Sequence, residues 1–284
     1  MILVKQIGDL KLKVDRIRRN GPLPAFVPTM GALHAGHIQL ITHARSAGNP
    51  VVCSIFVNPT QFNDPKDFQK YPVTLEADIQ QLESAGTELL FLPSVEELYP
   101  GGTAGLAQYD LGFLETVLEG KFRPGHFQGV CLVMHRLLEA VGPCLLYMGQ
   151  KDYQQCMVVA KLIELENLSA DLITVPTVRE KDGLAMSSRN ERLDENERKN
   201  ATGIYKALTY LKENIRPGDL SNLKQQALAI LHQHHFKTDY IEIADAKTLE
   251  PVETWNGTQS LVALAAAFQG EVRLIDNMNM PELF

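Results

Sequence analysis

Two histidines stand three residues apart in the stretch VPTMGALHAGH, residues 27–37. At that spacing His34 and His37 share one face of a helix that begins where the apolar run stops. A helix N-terminus offers unpaired N–H groups and the positive end of the backbone dipole, a combination that binds phosphate. Gly31 and Gly36 let a ligand or a neighbouring backbone come close. The same imidazoles would equally serve as local caps, and the stretch matches neither GxxxxGK[ST] nor GxGxxG.

Three further polar stretches carry groups of the same kind. In GQKDYQQ, residues 149–155, Lys151 and Gln155 are four apart and share a helix face. The lysine is a point charge for a phosphate, and the glutamine is a mixed donor and acceptor. The alternative is a solvated helix start with Asp152 near the dipole. In MSSRN, residues 186–190, two hydroxyls and a guanidinium could clamp phosphate oxygens, or Ser187 could simply cap a helix. Gln61 sits in FVNPTQF beside Pro59, as a ligand contact or as a turn residue. EGKFRPGHFQGV, residues 119–130, sets Lys121, Arg123 and His126 around glycine and proline, as a substrate-covering loop or a charged connector. HQHH, residues 232–235, has no acidic or cysteine partner at ligand spacing and is not read as a metal site. No GxSxG occurs, and no base is evident for a cysteine nucleophile.

Groups so scattered in sequence need a scaffold that gathers them. PAFVPTM, PVVCSIFVN, TELLFLP, CLLYMG and DLITVPTV read as strands. HAGHIQLITHARSAG, TLEADIQQLESAG, VCLVMHRLLEAVG and YQQCMVVAKLIELENL read as helices, the first two stopped by glycine. Strands alternating with helices predict a Rossmann-like parallel sheet covered on both faces, an α/β fold. Ligands of such sheets bind beyond the carboxyl ends of the strands, where the polar stretches would converge. After residue 176 the chain turns polar and charged. Two helical stretches and three strand-like ones follow, the last two joined as a hairpin. The expected division is 1–176 and 177–284, the second a smaller α+β domain.

Composition bounds the function. The 284 residues carry a net charge of -7, with 45% hydrophobic and 21% charged residues. An acidic chain lacks the field that non-specific nucleic-acid binding uses. Cys53, Cys131, Cys144 and Cys156 form no CxxC and lie in apolar settings, which predicts a reducing compartment and no disulfides. The N-terminal stretch has no signal-peptide core, and the longest apolar run, residues 261–268, falls well short of the ~20 residues a bilayer requires. The expectation is a soluble cytoplasmic protein with no membrane partner.

PTMGALHAGH, FVNPTQF, EGKFRPGHFQGV, GQKDYQQ and DGLAMSSRN, in that order, resemble the pantoate–β-alanine ligase family of the HxGH nucleotidyltransferase superfamily. The resemblance covers nearly the whole chain. It implies a C-terminal lid, a homodimer, and a reaction in two steps. Pantoate would attack the α-phosphate of magnesium ATP to give pantoyl adenylate and pyrophosphate, and β-alanine would then displace AMP. Carried over, His34 and His37 sit on the phosphates with His37 as proton donor, Lys151 on the α-phosphate, and Ser187, Ser188 and Arg189 on the β and γ phosphates. Met30, Gly31, Ala32, Leu33, Ala35 and Gly36 would complete the nucleotide loop. Gly149, Gln150, Asp152, Val178 and Met186 would line the rest of the ATP site. Gln61, Gln155, Asn58 and Arg123 would read pantoate, and Asp78 would hold magnesium, in part through water. The chain departs from the family at Gln150, where glutamate is common, and at Glu191 and Arg192, where glycine and an aromatic are common. Two other readings use the same fold. Nucleotide transfer to a phosphate acceptor would need an extra basic residue where Gln61 and Gln155 stand, and a nucleotide sensor would not need Lys151.

Overall fold

The computed structural model describes residues 1–62, 68–103 and 105–281. By their contacts they form two compact units. One comprises residues 1–116, 123–150 and 155–176, and the other residues 117–122, 151–154 and 177 onward.

The first unit is built on six strands: β1 (Ile2–Val4), β2 (Ala25–Thr29), β3 (Val51–Ile55), β4 (Leu89–Phe91), β5 (Cys144–Gly149) and β6 (Ala170–Val175). They lie in the order β1-β4-β3-β2-β5-β6, and every pairing is parallel. Alternate side chains leave opposite faces of a strand, and both faces here are apolar. Ala25, Val27, Val51, Cys53 and Leu90 pack with Leu40 and Ile41 of helix Ala35–Ser46 and Leu82 of helix Leu75–Ser84. Phe26, Val52, Leu89, Phe91 and Leu146 pack with helices Ile7–Asn20 and His126–Val141 and with Val158 and Leu162.

The sheet order reverses at β2. The chain steps outward from β2 to β3 and β4, then returns to place β5 on the other side of β2. β2 stays in register with β3 from Ala25↔Val51 to Thr29↔Ile55. Against β5 it pairs only at Ala25↔Leu145 and Phe26↔Leu146. The carboxyl halves of these two neighbours therefore part, and the gap lies at the reversal point, where parallel sheets take their ligands. Residues 30–37 leave one lip and residues 149–150 the other.

Four elements lie where the sequence reading left none or set a later start. β1 is a three-residue edge strand and shows no periodicity of its own. Helix Ile7–Asn20 follows it and buries Leu10 and Val14 completely. In the charged stretch after residue 176, helix Glu195–Ala201 starts at a capping box: Asp194 accepts from the Asn196 and Glu197 N–H groups, and Glu197 accepts from that of Asp194. Helix His126–Val141 begins at His126, ahead of the expected Val130.

The second unit holds a two-residue pair, β7 (Gly218–Asp219) with β9 (Thr254–Trp255). It also holds an antiparallel sheet in the order β11-β10-β8, formed by β8 (Lys237–Asp245), β10 (Leu261–Gln269) and β11 (Val272–Asn279). Helices Gly203–Asn214 and Ser221–Gln233 bury Leu208, Leu211 and Leu231 with Trp255 and with the small side chains Ala263, Ala265 and Ala267 of β10. An ionic cluster helps join residues 117–122 to this unit. The Glu119 carboxylate accepts two bonds of 2.8 Å from Arg273 and one of 2.9 Å from Tyr240, and Arg273 Nε also donates to Asp239 at 2.8 Å. Burial, and then the Glu119 charge, hold the Tyr240 phenol well above its ordinary range. None of the four cysteines forms a disulfide, all are buried, and burial pushes the Cys131 and Cys144 thiols up to about 12. Among the described residues no helix is long and apolar enough to cross a membrane.

Candidate active site

At the carboxyl end of β2 the backbone turns through Gly31 and Ala32, both with positive φ (79° and 50°). A Cβ on Gly31 would lie 3.0 Å from Asp78 Oδ2 and 3.3 Å from Ile55, so the position suits glycine on both counts. The turn is held from below. Asp78, 1% exposed on helix Leu75–Ser84, accepts the Ala32 N–H on Oδ2 at 3.0 Å. Its Oδ1 accepts the Leu33 N–H at 2.8 Å and the Thr74 hydroxyl at 3.1 Å. A carboxylate has about four lone-pair sites, so three bonds leave room for little more than one further contact. The residue expected as a magnesium ligand thus holds the loop, and any part it takes with a metal runs through that remaining site. Among the described residues no three His, Cys, Asp or Glu side chains gather as a metal cage.

The turn delivers His34 as the N-cap of helix Ala35–Ser46. His34 Nδ1 accepts the Gly36 N–H at 3.1 Å, and His37 Nδ1 accepts the His34 N–H at 3.2 Å. The rings lie 4.1 Å apart between centroids. Capping and ligand binding, which stood as alternatives, are therefore compatible. A nitrogen that accepts a bond carries no proton, so in each neutral ring the proton sits on Nε2. Both imidazoles then act as N–H donors at Nε2, the polarity that phosphate oxygens require.

Gln61 is fixed by a chain of bonds whose direction follows from one carbonyl. The Gly129 C=O can only accept, so Asn58, 1% exposed, must present its Nδ2 to it, at 2.9 Å. Asn58 Nδ2 also donates to Gln61 Oε1 at 3.2 Å, while Asn58 Oδ1 takes the Tyr99 and Thr60 hydroxyls at 3.0 Å each. With Oε1 so engaged, Gln61 turns its Nε2 toward Met30, 3.0 Å from the sulfur. Gln61 thus offers donors, which suits a carboxylate or a hydroxyl oxygen. Its own carbonyl is gripped by His126 Nδ1 at 2.8 Å, and the other ring nitrogen faces Arg123 Nη1 at 3.0 Å. Arg123, expected at the substrate, is directed at least in part to His126. Gln155 is half-buried on helix Tyr153–Leu165, with no hydrogen bond to its carboxamide among the described residues.

The second unit assembles its own set. Lys151 lies in the short turn Gln150–Asp152 after β5, with Nζ 3.6 Å from the Asp152 carboxylate. Val178 accepts the Met186 N–H at 3.0 Å, and Arg179 pairs with Ala185, so residues 178–186 form a tight ribbon. From it emerge Ser187, which caps the turn Ser188–Arg192 by accepting the Arg189 N–H, and Ser188 and Arg189 themselves. Asn190 ties this turn back to the Ala185 carbonyl and Glu180 at 3.1 and 3.0 Å. Arg198 grips Glu180 and Asp182 at 2.6 and 2.8 Å. Asp276 on β11 receives both Nη groups of Arg179, at 2.6 and 3.0 Å. Burial pushes the Asp276 carboxyl up, and Arg179 opposes it. Neither Asp276, nor the Asn58–Gly129 relay, nor the role of Asp78 had a signal in the sequence beyond a polar residue in an apolar stretch.

Residues 2–279 match the family model described as pantoate-beta-alanine ligase. A pantothenate synthetase of Fervidobacterium nodosum is 45% identical over 280 residues, 98% of this chain and 99% of that one. The crystal structure of pantothenate synthetase from Thermus thermophilus superposes with a TM-score of 0.86 at 39% identity, covering 99% of this chain and all of that one. A ligase structure from Francisella tularensis, described as complexed with beta-gamma ATP and beta-alanine, gives a TM-score of 0.81 at 38% identity over 98% and 97% of the two chains.

Proposed function

The chain belongs to the pantoate–β-alanine ligase family, and from that premise we propose how its residues carry the reaction. It joins pantoate to β-alanine at the expense of ATP. A carboxylate is a poor acyl donor because its leaving group would be oxide. In the first step a pantoate carboxylate oxygen bonds to the α-phosphorus, the bridge to the β-phosphate breaks, and pyrophosphate leaves. In the second the β-alanine amine attacks the acyl carbon, AMP leaves with the bonding pair, and the amine loses a proton.

Negative charge grows on the α-phosphoryl oxygens and on departing pyrophosphate, so the work is positioning and charge stabilisation. The observation that carries this reading is the placement of His34 and His37, whose Nδ1 atoms accept backbone N–H groups, at the head of a helix on a glycine turn at the reversal point of a parallel sheet. His37 Nε2–H would donate a hydrogen bond to the departing pyrophosphate as its charge grows, and Lys151 neutralises the α-phosphate. Ser187, Ser188 and Arg189 hold the β and γ phosphates. Met30–His37, Gly149–Asp152, Val178 and Met186 accommodate the nucleotide. Gln61 and Gln155, with Asn58 and Arg123 behind Gln61, read pantoate. Magnesium bound with the nucleotide would add neutralising charge, and Asp78 has one remaining site to offer it, through water. Family resemblance supports a homodimer and a smaller C-terminal domain after residue 176, with which residues 117–122 and 151–154 group by their contacts, and four buried thiols outside any disulfide suit a cytoplasmic setting.

The test is isotope exchange. Labelled pyrophosphate should enter ATP when pantoate and magnesium are present and β-alanine is left out, and the exchange should vanish without pantoate. Exchange that requires β-alanine would overturn the two-step reading. In the same assay Gln61→Ala and Gln155→Ala should raise the half-saturating pantoate concentration more than that of ATP, roughly 10-fold for a lost buried bond worth about 1–3 kcal/mol. Equal losses for both substrates would mean that the two glutamines do not read the acid.

A further inference from the structure

A lysine is a flexible point charge on four rotatable bonds, so where its charge can reach depends on where the fold holds its backbone. The end of β11 does this for Lys151. Asn277, 2% exposed, donates its Nδ2 to the Lys151 carbonyl at 2.8 Å, across 126 residues of sequence. Asn277 is itself pinned: its N–H donates to Asp276 Oδ1 at 2.8 Å, and its carbonyl accepts Arg179 Nη2 at 3.2 Å. Arg179 also donates to the Gly183 carbonyl at 3.0 Å and lies over the Tyr205 ring at 4.9 Å. The ribbon that Arg179 roots delivers Met186–Arg189.

We infer that Asn277, itself held by Asp276 and Arg179, is a positioning residue for Lys151. The inference rests on the reading of Lys151 as the cation at the α-phosphate. A strand residue whose task was only to fill the sheet would be apolar. This one places an amide against a carbonyl on a distant turn, beside a buried ion pair. Displacing a reacting group by about 1 Å costs up to 100-fold in rate, and a phosphate cation is one such group.

The full-length chain is compared as Asn277→Leu, the smaller Asn277→Ala, Lys151→Ala and the double variant Lys151→Ala with Asn277→Leu. Pantoate-dependent pyrophosphate exchange, half-saturation by ATP and pantoate, and thermal melting are measured for each. Asn277→Leu should slow exchange by roughly 10- to 100-fold, with half-saturating pantoate within about 2-fold of wild type. In the Lys151→Ala background it should slow exchange no further, because the group it positions is gone. Should the leucine variant fail to fold, the alanine variant bears the same expectations. Losses that multiply in the double variant, or an Asn277 variant at wild-type speed, would overturn the inference while leaving the proposed reaction intact. Lys151→Ala at wild-type speed would overturn the reading of the site, and the inference with it.

Discussion

Lys151→Ala should slow pyrophosphate exchange and overall turnover by about 100-fold to 1,000-fold, the range seen when one donor aimed at developing charge is removed. The fold should survive. The side chain is partly exposed, and the Asp152 carboxylate 3.6 Å from it is itself close to half-exposed, a pairing that contributes little to stability. Secondary structure by circular dichroism and the unfolding midpoint should therefore match wild type, while kcat falls and half-saturation by pantoate holds. A loss of activity that follows a loss of structure would place the lysine among the scaffold residues.

Gly129→Ala should act in the opposite way, on the scaffold first. Gly129 lies inside helix His126–Val141, where alanine is ordinarily the better residue. Here a Cβ would press on the Thr60 carbonyl oxygen and lie 2.5 Å from Gln61 Cα. Both obstacles are backbone, so the turn Pro59–Gln61 or the helix must move. Such overpacking costs about 1–3 kcal/mol. The same carbonyl that orients Asn58 belongs to Gly129, so the shift should also disturb the amide polarity of Gln61. The urea midpoint should fall, and half-saturating pantoate should rise roughly 10-fold, with ATP far less affected. An unchanged midpoint would mean that the turn moves freely and that Gln61 needs no fixed seat.

The sequence was most legible where one signal sufficed. β2 to β6 are apolar runs of the right length between glycine and proline punctuation, and they lie where expected. The parallel sheet and the smaller antiparallel unit followed from the order of those runs. His34 and His37 could be read as a pair because a helix start imposes the spacing. Helix Ile7–Asn20 had its signal in Ile7, Leu10, Val14 and Ile17, masked by the dense charges between them. What stayed illegible needed a partner distant in sequence. Asp78 looks like a solvated residue until the loop 46 positions earlier is folded over it. Gln61 shows which end of its amide faces the site only once Gly129 is placed, and nothing in β11 marks Asn277 as a partner of residue 151.

The ionic cluster that ties residues 117–122 to the second unit has a consequence for biogenesis. Glu119 leaves the ribosome 154 residues before Arg273, the guanidinium that pairs with it in the folded chain, where Glu119 is 7% exposed. A buried carboxylate without its counterion is strongly unfavourable. During synthesis the segment must therefore stay hydrated and unpacked while the sheet on either side of it folds. A nascent chain stalled anywhere before β11 would keep that stretch open to proteases, as would a fragment ending at residue 176. The last strand to emerge thus closes a loop laid down in the first half of the chain.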